Sequence, residues 1–175
     1  MATTKSSPRL PFGTCEDLFS KLKLDFEDLK KDWSEQHTFN FIVTAYHLYQ
    51  DWIDRVGSSE MKRKKNQLPP QAKLLVNVFR DITNATKHWK LDKGSQAKQV
   101  VDGVSQPQIA DWYAYFKAGP VIYVDVDGAR PSMPELSHVA IKLFEWLLDD
   151  AVYVFPADLA NSLATIFRPL VPSEP

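Results

Sequence analysis

Apolar residues recur every three or four positions through five stretches of the chain, and each such stretch predicts a helix. Leu18, Leu22, Phe26 and Leu29 mark the first, over about residues 15–32, with lysines and acids on its outer side. Thr14 stands three residues before Asp17, which suits an N-cap followed by a carboxylate in the first turn. The second helix opens at Ser34 or Thr38, runs to about Arg55 and is closed by Gly57. Along it Phe41, Ile42, Ala45, Tyr46, Leu48, Tyr49, Trp52, Ile53 and Val56 cover nearly half of the cylinder, so it must pack against several neighbours. What remains is a narrow polar strip of Asn40, Thr44, His47, Asp51 and Asp54. A third helix, about 71–90, has Leu74, Leu75, Val78, Ile82, Ala85 and Trp89 on one side and Asn77, Arg80, Asn84 and His88 almost opposite. Pro134 opens a fourth, about 134–152, with Val139, Leu143, Trp146 and Leu147 inward, and a short helix spans Ala157 to Phe167.

Elsewhere the period breaks. Residues 57–70, GSSEMKRKKNQLPP, end in a proline pair and predict a loop carrying a basic run from Lys62 to Lys65. After Gly94 the pattern turns to alternation and β-branched residues, which predicts two to four antiparallel strands between about 97 and 132. Asp127-Gly128 is a tight-turn dipeptide within that region. Residues 1–13 read as a flexible lead-in, 14–168 as one globular domain and 169–175 as a tail. The expected class is α+β and mostly helical: a four-to-five-helix bundle with a small antiparallel β-sheet inserted at about 97–132.

Composition narrows the partners. With 44% hydrophobic and 25% charged residues the chain is ordinary globular material, so disorder is expected only at its ends. A net charge of -1 supplies no global field for nucleic acid, which leaves only local patches to hold it. A single cysteine, Cys15, rules out an internal disulfide scaffold. No apolar run approaches the roughly 20 residues that span a bilayer, and the first residues lack the apolar core of a secretory signal. No membrane contact is expected, and the cytoplasm is the expected location. Neither metal nor cofactor is expected: there is no cysteine pair, no His-x-x-x-His, no glycine-rich phosphate loop and no calcium loop beyond a stray DVDG.

The candidate chemistry lies on the second and third helices. Arg80, Asn84 and His88 stand at i, i+4 and i+8 and so form one row. Arginine grips phosphate through paired hydrogen bonds, and histidine exchanges a proton near neutral pH. Attack by a 2′-hydroxyl on its own phosphodiester needs both. The row rises roughly 12 Å, so Arg80 and His88 must lean together to meet one phosphate, and the plain alternative is the wet side of an amphipathic helix. His47 and Asp51 stand at i, i+4, where a carboxylate can hold an imidazole in one tautomer; the alternative is an ordinary surface pair. If the second and third helices pair antiparallel, the polar strip could face the Arg80 row across a groove. Lys87 and the run Lys62, Arg63, Lys64 and Lys65 are candidate nucleic-acid contacts, against the common reading of a solvated charge run. Trp112, Tyr113, Tyr115 and Phe116 are candidates for base stacking, although alternation puts Trp112 and Phe116 on one face that reads as core.

Two segments, FNFIVTAYHLYQDW (39–52) and RDITNATKHWKL (80–91), resemble recurring segments of an uncharacterised bacterial protein family. Phe39, Asn40, Phe41, Val43, Thr44, Ala45, His47, Asp51 and Trp52 carry the first likeness; Asp81, Ile82, Asn84, Lys87 and His88 carry the second. More distantly the helical half is similar to HEPN-type bundles, small domains that bind or cut RNA, commonly as dimers. Their active helix carries an arginine with four to six residues between it and a histidine. Here those positions before His88 are Asp81, Ile82 and Thr83, and Arg80 falls one residue beyond. The resemblance therefore implies either a bundle that keeps only binding or scaffolding, or a metal-independent ribonuclease using Arg80, Asn84, His88, His47 and Asp51. The first expectation is a non-catalytic interaction protein of a bacterial or phage system, of adaptor, immunity or inhibitor type, with a protein partner or a second copy. The second is an RNA-directed module of a defence or toxin system. An enzyme acting on a small molecule, in a pocket between the second helix and the sheet, is a third.

Overall fold

In the computed structural model, which describes residues 13–87, 99–105 and 121–170, the first helix begins where its capping residues place it. Thr14 Oγ1 accepts the Asp17 N–H at 3.1 Å, and Asp17 Oδ2 accepts the N–H groups of Thr14 (3.0 Å) and Gly13 (2.9 Å). These bonds satisfy donors that a helix start otherwise leaves open, and α1 runs over Cys15–Asp32. It ends at Trp33, in the left-handed region with φ 45, and Asp32 Oδ1 then accepts the Ser34 N–H at 3.0 Å. Ser34, not Thr38, is the N-cap of the next helix. That helix, α2, comprises Glu35–His47, a π-turn over Leu48–Trp52 and a last turn Ile53–Val56. A π-turn holds one residue more than an α-turn, so the residues beyond it lag by roughly 100° around the axis. Val56, expected within the apolar stripe, is 52% exposed. Gly57 does close α2, through crowding: its φ is -64, and a Cβ there would lie 2.5 Å from the Ile53 carbonyl oxygen.

Residues 57–70 are not a loop. They hold a helix, α3 (Ser59–Asn66), capped by Ser58 Oγ on the Met61 N–H at 3.1 Å. Glu60 sits in its first turn and Arg63, Lys64 and Lys65 in its last, the polarity that a helix dipole favours. Its inner stripe continues past its end as Met61, Lys64 and Leu68, each almost fully buried. A lysine in the middle of that stripe hides the period from a hydrophobicity pattern.

The next helix, α4, runs over Pro70–Lys87. Two short strands come after it, β1 (Gly103–Ser105) and β2 (Tyr123–Asp125), antiparallel with Val104 opposite Val124. Asp127 (φ 47) and Gly128 (φ 76) make the expected tight turn, with Val126 and Ala129 exchanging both backbone hydrogen bonds. Positive φ at both central residues is the two-residue hairpin geometry that matches strand twist, and glycine carries the second at no steric cost. The aromatic run Trp112 to Phe116 lies outside the described residues. Helix α5 (Met133–Leu148) opens with a capping box between Ser132 and Glu135 and with Pro134 in its first turn, and α6 (Ala157–Ile166) comes last.

The described residues are thus mostly helical, with one small antiparallel sheet. One contiguous core draws on all six of these helices and on β2. Its aromatic spine runs from Phe26 of α1 to Phe41 of α2 (centroids 5.9 Å) and on to Phe79 of α4 (6.2 Å, edge to face). Such ring pairs add to burial because edges and faces carry opposite partial charge. No described helix is long and apolar enough to cross a membrane.

Candidate functional site

Arg80 turns back on its own helix. Its Nε and Nη2 donate to Asp81 Oδ1 at 2.9 and 2.8 Å, and its Nη1 donates to Asn77 Oδ1 at 3.1 Å. The other oxygen of Asp81 accepts the backbone N–H groups of Val100 (2.6 Å) and Val101 (3.2 Å). Asp81 is only 6% exposed. A buried carboxylate needs such partners, and here they tie α4 to the segment entering β1. Sequence reasoning named Asp81 only as part of a family likeness. The signal available was an acid beside the candidate arginine, able to neutralise it.

Asn84 is half-buried on the same helix, and Lys87 is its last described residue. His88 lies outside the described residues, so the row's far end is undescribed.

His47 and Asp51 do pair. His47 Nδ1 donates to Asp51 Oδ2 at 2.6 Å, across the start of the π-turn. A carboxylate accepts only, so Nδ1 carries the proton and Nε2 stays free as the second ring nitrogen. Both side chains are about one-third exposed.

The polar strip of α2 divides: Asn40, Thr44 and His47 lie towards α1, and Asp54 pairs with Lys65 of α3. Thr44 donates to Asp25 Oδ2 of α1 at 2.5 Å, and Lys21 of α1 donates to Thr44 Oγ1 at 2.8 Å. His47 lines a cleft of about 310 Å³ with Asn40, Thr44, Leu18 and Lys21. The first half of the strip thus belongs to the α1 side, because its buried member finds its partners there. One side chain senses both pairs. Burial chiefly raises the pKa of the half-buried Tyr46 phenol; the charges of Asp51 and Asp81 raise it further, and Arg80 opposes them.

The basic run is not one exposed patch. Lys64 is 1% exposed, its Nζ donating to the carbonyls of Trp146 (2.8 Å) and Asp149 (2.5 Å) at the end of α5. It also sits 5.0 Å from the Trp146 ring centroid. Lys65 donates to the Tyr49 carbonyl at 2.8 Å and pairs with Asp54 at 2.7 Å. Arg63 binds both oxygens of Glu60, at 2.9 and 2.6 Å, and lies over Tyr153. Lys62 is half-buried near Cys15. The Cys15 thiol is itself buried, and that burial is the main cause raising its pKa, the opposite of nucleophile activation. Among the described residues no three His, Cys, Asp or Glu side chains gather as metal ligands would.

Comparison with protein-family models, curated proteins and solved structures finds no match for this chain.

Proposed function

We propose that this chain is a non-catalytic interaction or binding protein of adaptor, immunity or inhibitor type, working in the cytoplasm of a bacterial or phage system with a protein partner or a second copy of itself. The observation that carries the reading is the use made of Arg80. A guanidinium that grips phosphate must offer its paired N–H groups outward, and these N–H groups point to Asp81 and Asn77 instead. Lys64 and Lys65 are likewise spent on carbonyls inside the fold. An exposed apolar run, Val152 to Val154 (43%, 62% and 78% exposed), adds surface of the kind partners cover.

The test is incubation of the purified chain with single-stranded RNA. The RNA stays intact, and Arg80→Ala shows its effect as lost stability. The loss is about 1–3 kcal/mol, typical for hydrogen bonds to a charged group, or a thermal midpoint lower on the order of 5 °C. RNA cleavage that vanishes in both Arg80→Ala and His88→Ala, with circular dichroism unchanged, would overturn the reading. It would establish the second one, a HEPN-like RNA-cleaving module. One observation favours that alternative: Tyr46 lies within electrostatic reach of both Asp51 and Arg80, so the two candidate pairs are near neighbours.

A further inference from the structure

Between α2, α4 and the sheet lies a cavity of about 480 Å³. Ile42 comes to it from α2, Ile82 from α4, Val104 from β1, and Ile122 and Met133 from either side of the hairpin. These walls are apolar. The size falls within the few hundred to a thousand Å³ usual for small-molecule sites.

Thr38 also lines this cavity. It is 5% exposed, and its Oγ1 has no hydrogen-bond partner in the structure. A threonine inside a helix ordinarily returns its hydroxyl to the carbonyl four residues back. Here the Ser34 carbonyl accepts the Thr38 N–H at 2.8 Å, and the hydroxyl does not add itself to it, as those of Ser20, Ser162 and Thr165 do to their own carbonyls four residues back. A buried hydroxyl left without a partner is costly, and in native proteins such a group calls for an explanation. Helical threonine divides between two side-chain rotamers, so the hydroxyl has a second staggered position from which to meet a molecule in the space that Thr38 lines.

We propose that this cavity is a binding site for a small, neutral, largely apolar molecule carrying one hydrogen-bonding group, which Thr38 Oγ1 engages. The site goes beyond the adaptor-type function proposed for the chain, which involves no small molecule. Specificity then falls to the single polar contact: a guest without such a group leaves the hydroxyl unmet.

The probe is N-phenyl-1-naphthylamine, a neutral aromatic amine with one N–H whose fluorescence rises in apolar surroundings. The full chain binds it saturably, one to one. Val104→Trp, at a position that is 56% exposed and therefore tolerant of bulk, fills the cavity and abolishes the signal. Ile82→Trp does the same from α4. Thr38→Val keeps the shape and removes the hydroxyl. It weakens the probe about tenfold, the usual worth of one hydrogen bond, and at the same time raises the melting temperature of the ligand-free chain. Absent saturable binding overturns the proposal, as does binding of equal strength in the two tryptophan variants. An unchanged affinity in Thr38→Val overturns the assigned contact and with it the ligand class.

Discussion

A lysine at 1% exposure is the most telling single residue of this chain. The last carbonyls of a helix lack internal donors, and burying them unmet is costly. Lys64 reaches across from α3 and donates to two of them, on Trp146 and Asp149. The positive head also meets the negative end of the α5 dipole. Lys64→Ala removes both bonds and leaves a void, so we expect a loss of roughly 2–4 kcal/mol, read from urea denaturation with an unchanged slope. A loss under about 0.5 kcal/mol, the ordinary scatter of surface substitutions, would show that the staple is not needed. Of the candidate residues, the His47–Asp51 pair was legible in the sequence, because i, i+4 spacing on a helix sets it. The engagement of Arg80 and the burial of Lys64 were not. Both depend on which element lies opposite, on Asp81 bridging to Val100 and on the end of α5, and no local pattern encodes that.

Among the elements, the helix starts contribute to the pH dependence. Asp17 is held below its ordinary pKa, first by the Gly13 N–H and then by the Thr14 N–H. Asp32, at the junction of α1 and α2, is lowered first by the Ser34 N–H. A carboxylate whose folded pKa lies below its unfolded one adds stability that is complete above the unfolded value, about 4. That stability is lost as pH falls through the lowered value. The melting temperature should therefore hold steady from neutral pH to about 5 and fall below about 4. In Asp17→Asn it should start lower at pH 7 and fall less steeply in acid; parallel acid limbs for the two proteins would contradict the cap's role. These caps also explain which elements could be read. Helices α1, α4, α5 and α6 have unbroken apolar periods, and the bounds of α1, α5 and α6 and the start of α4 match the pattern to within a few residues. Helix α3 escaped because Lys64 occupies an inner position, and the π-turn of α2 because a one-residue slip leaves no mark in composition. Ser34 and Thr38 both read as N-caps; Ser34 takes that place and Thr38 falls one turn inside, buried.

Over the whole molecule, Asp81 joins the helical part to the sheet. One oxygen holds Arg80 on α4 and the other holds the two amides leading into β1. In Asp81→Ala we expect faster hydrogen exchange at the Val100 and Val101 amides and around β1 and β2, while Leu22 and Leu29 of α1 keep their protection. Uniform loosening across the chain would instead mean that helices and strands open as one cooperative unit. Legibility at this scale was coarse but sound: helical bulk and a small antiparallel sheet could be read from the change of period after Gly94. The facing of Thr44 and His47 toward α1 could not, since a helix wrapped in apolar residues can turn either polar edge to a neighbour. The inward lysine has one last consequence. A folded chain withholds that amine from acylating, methylating or crosslinking chemistry, so a tag attached there records a molecule that had come open, much as a seal broken under a lid dates the opening of a jar.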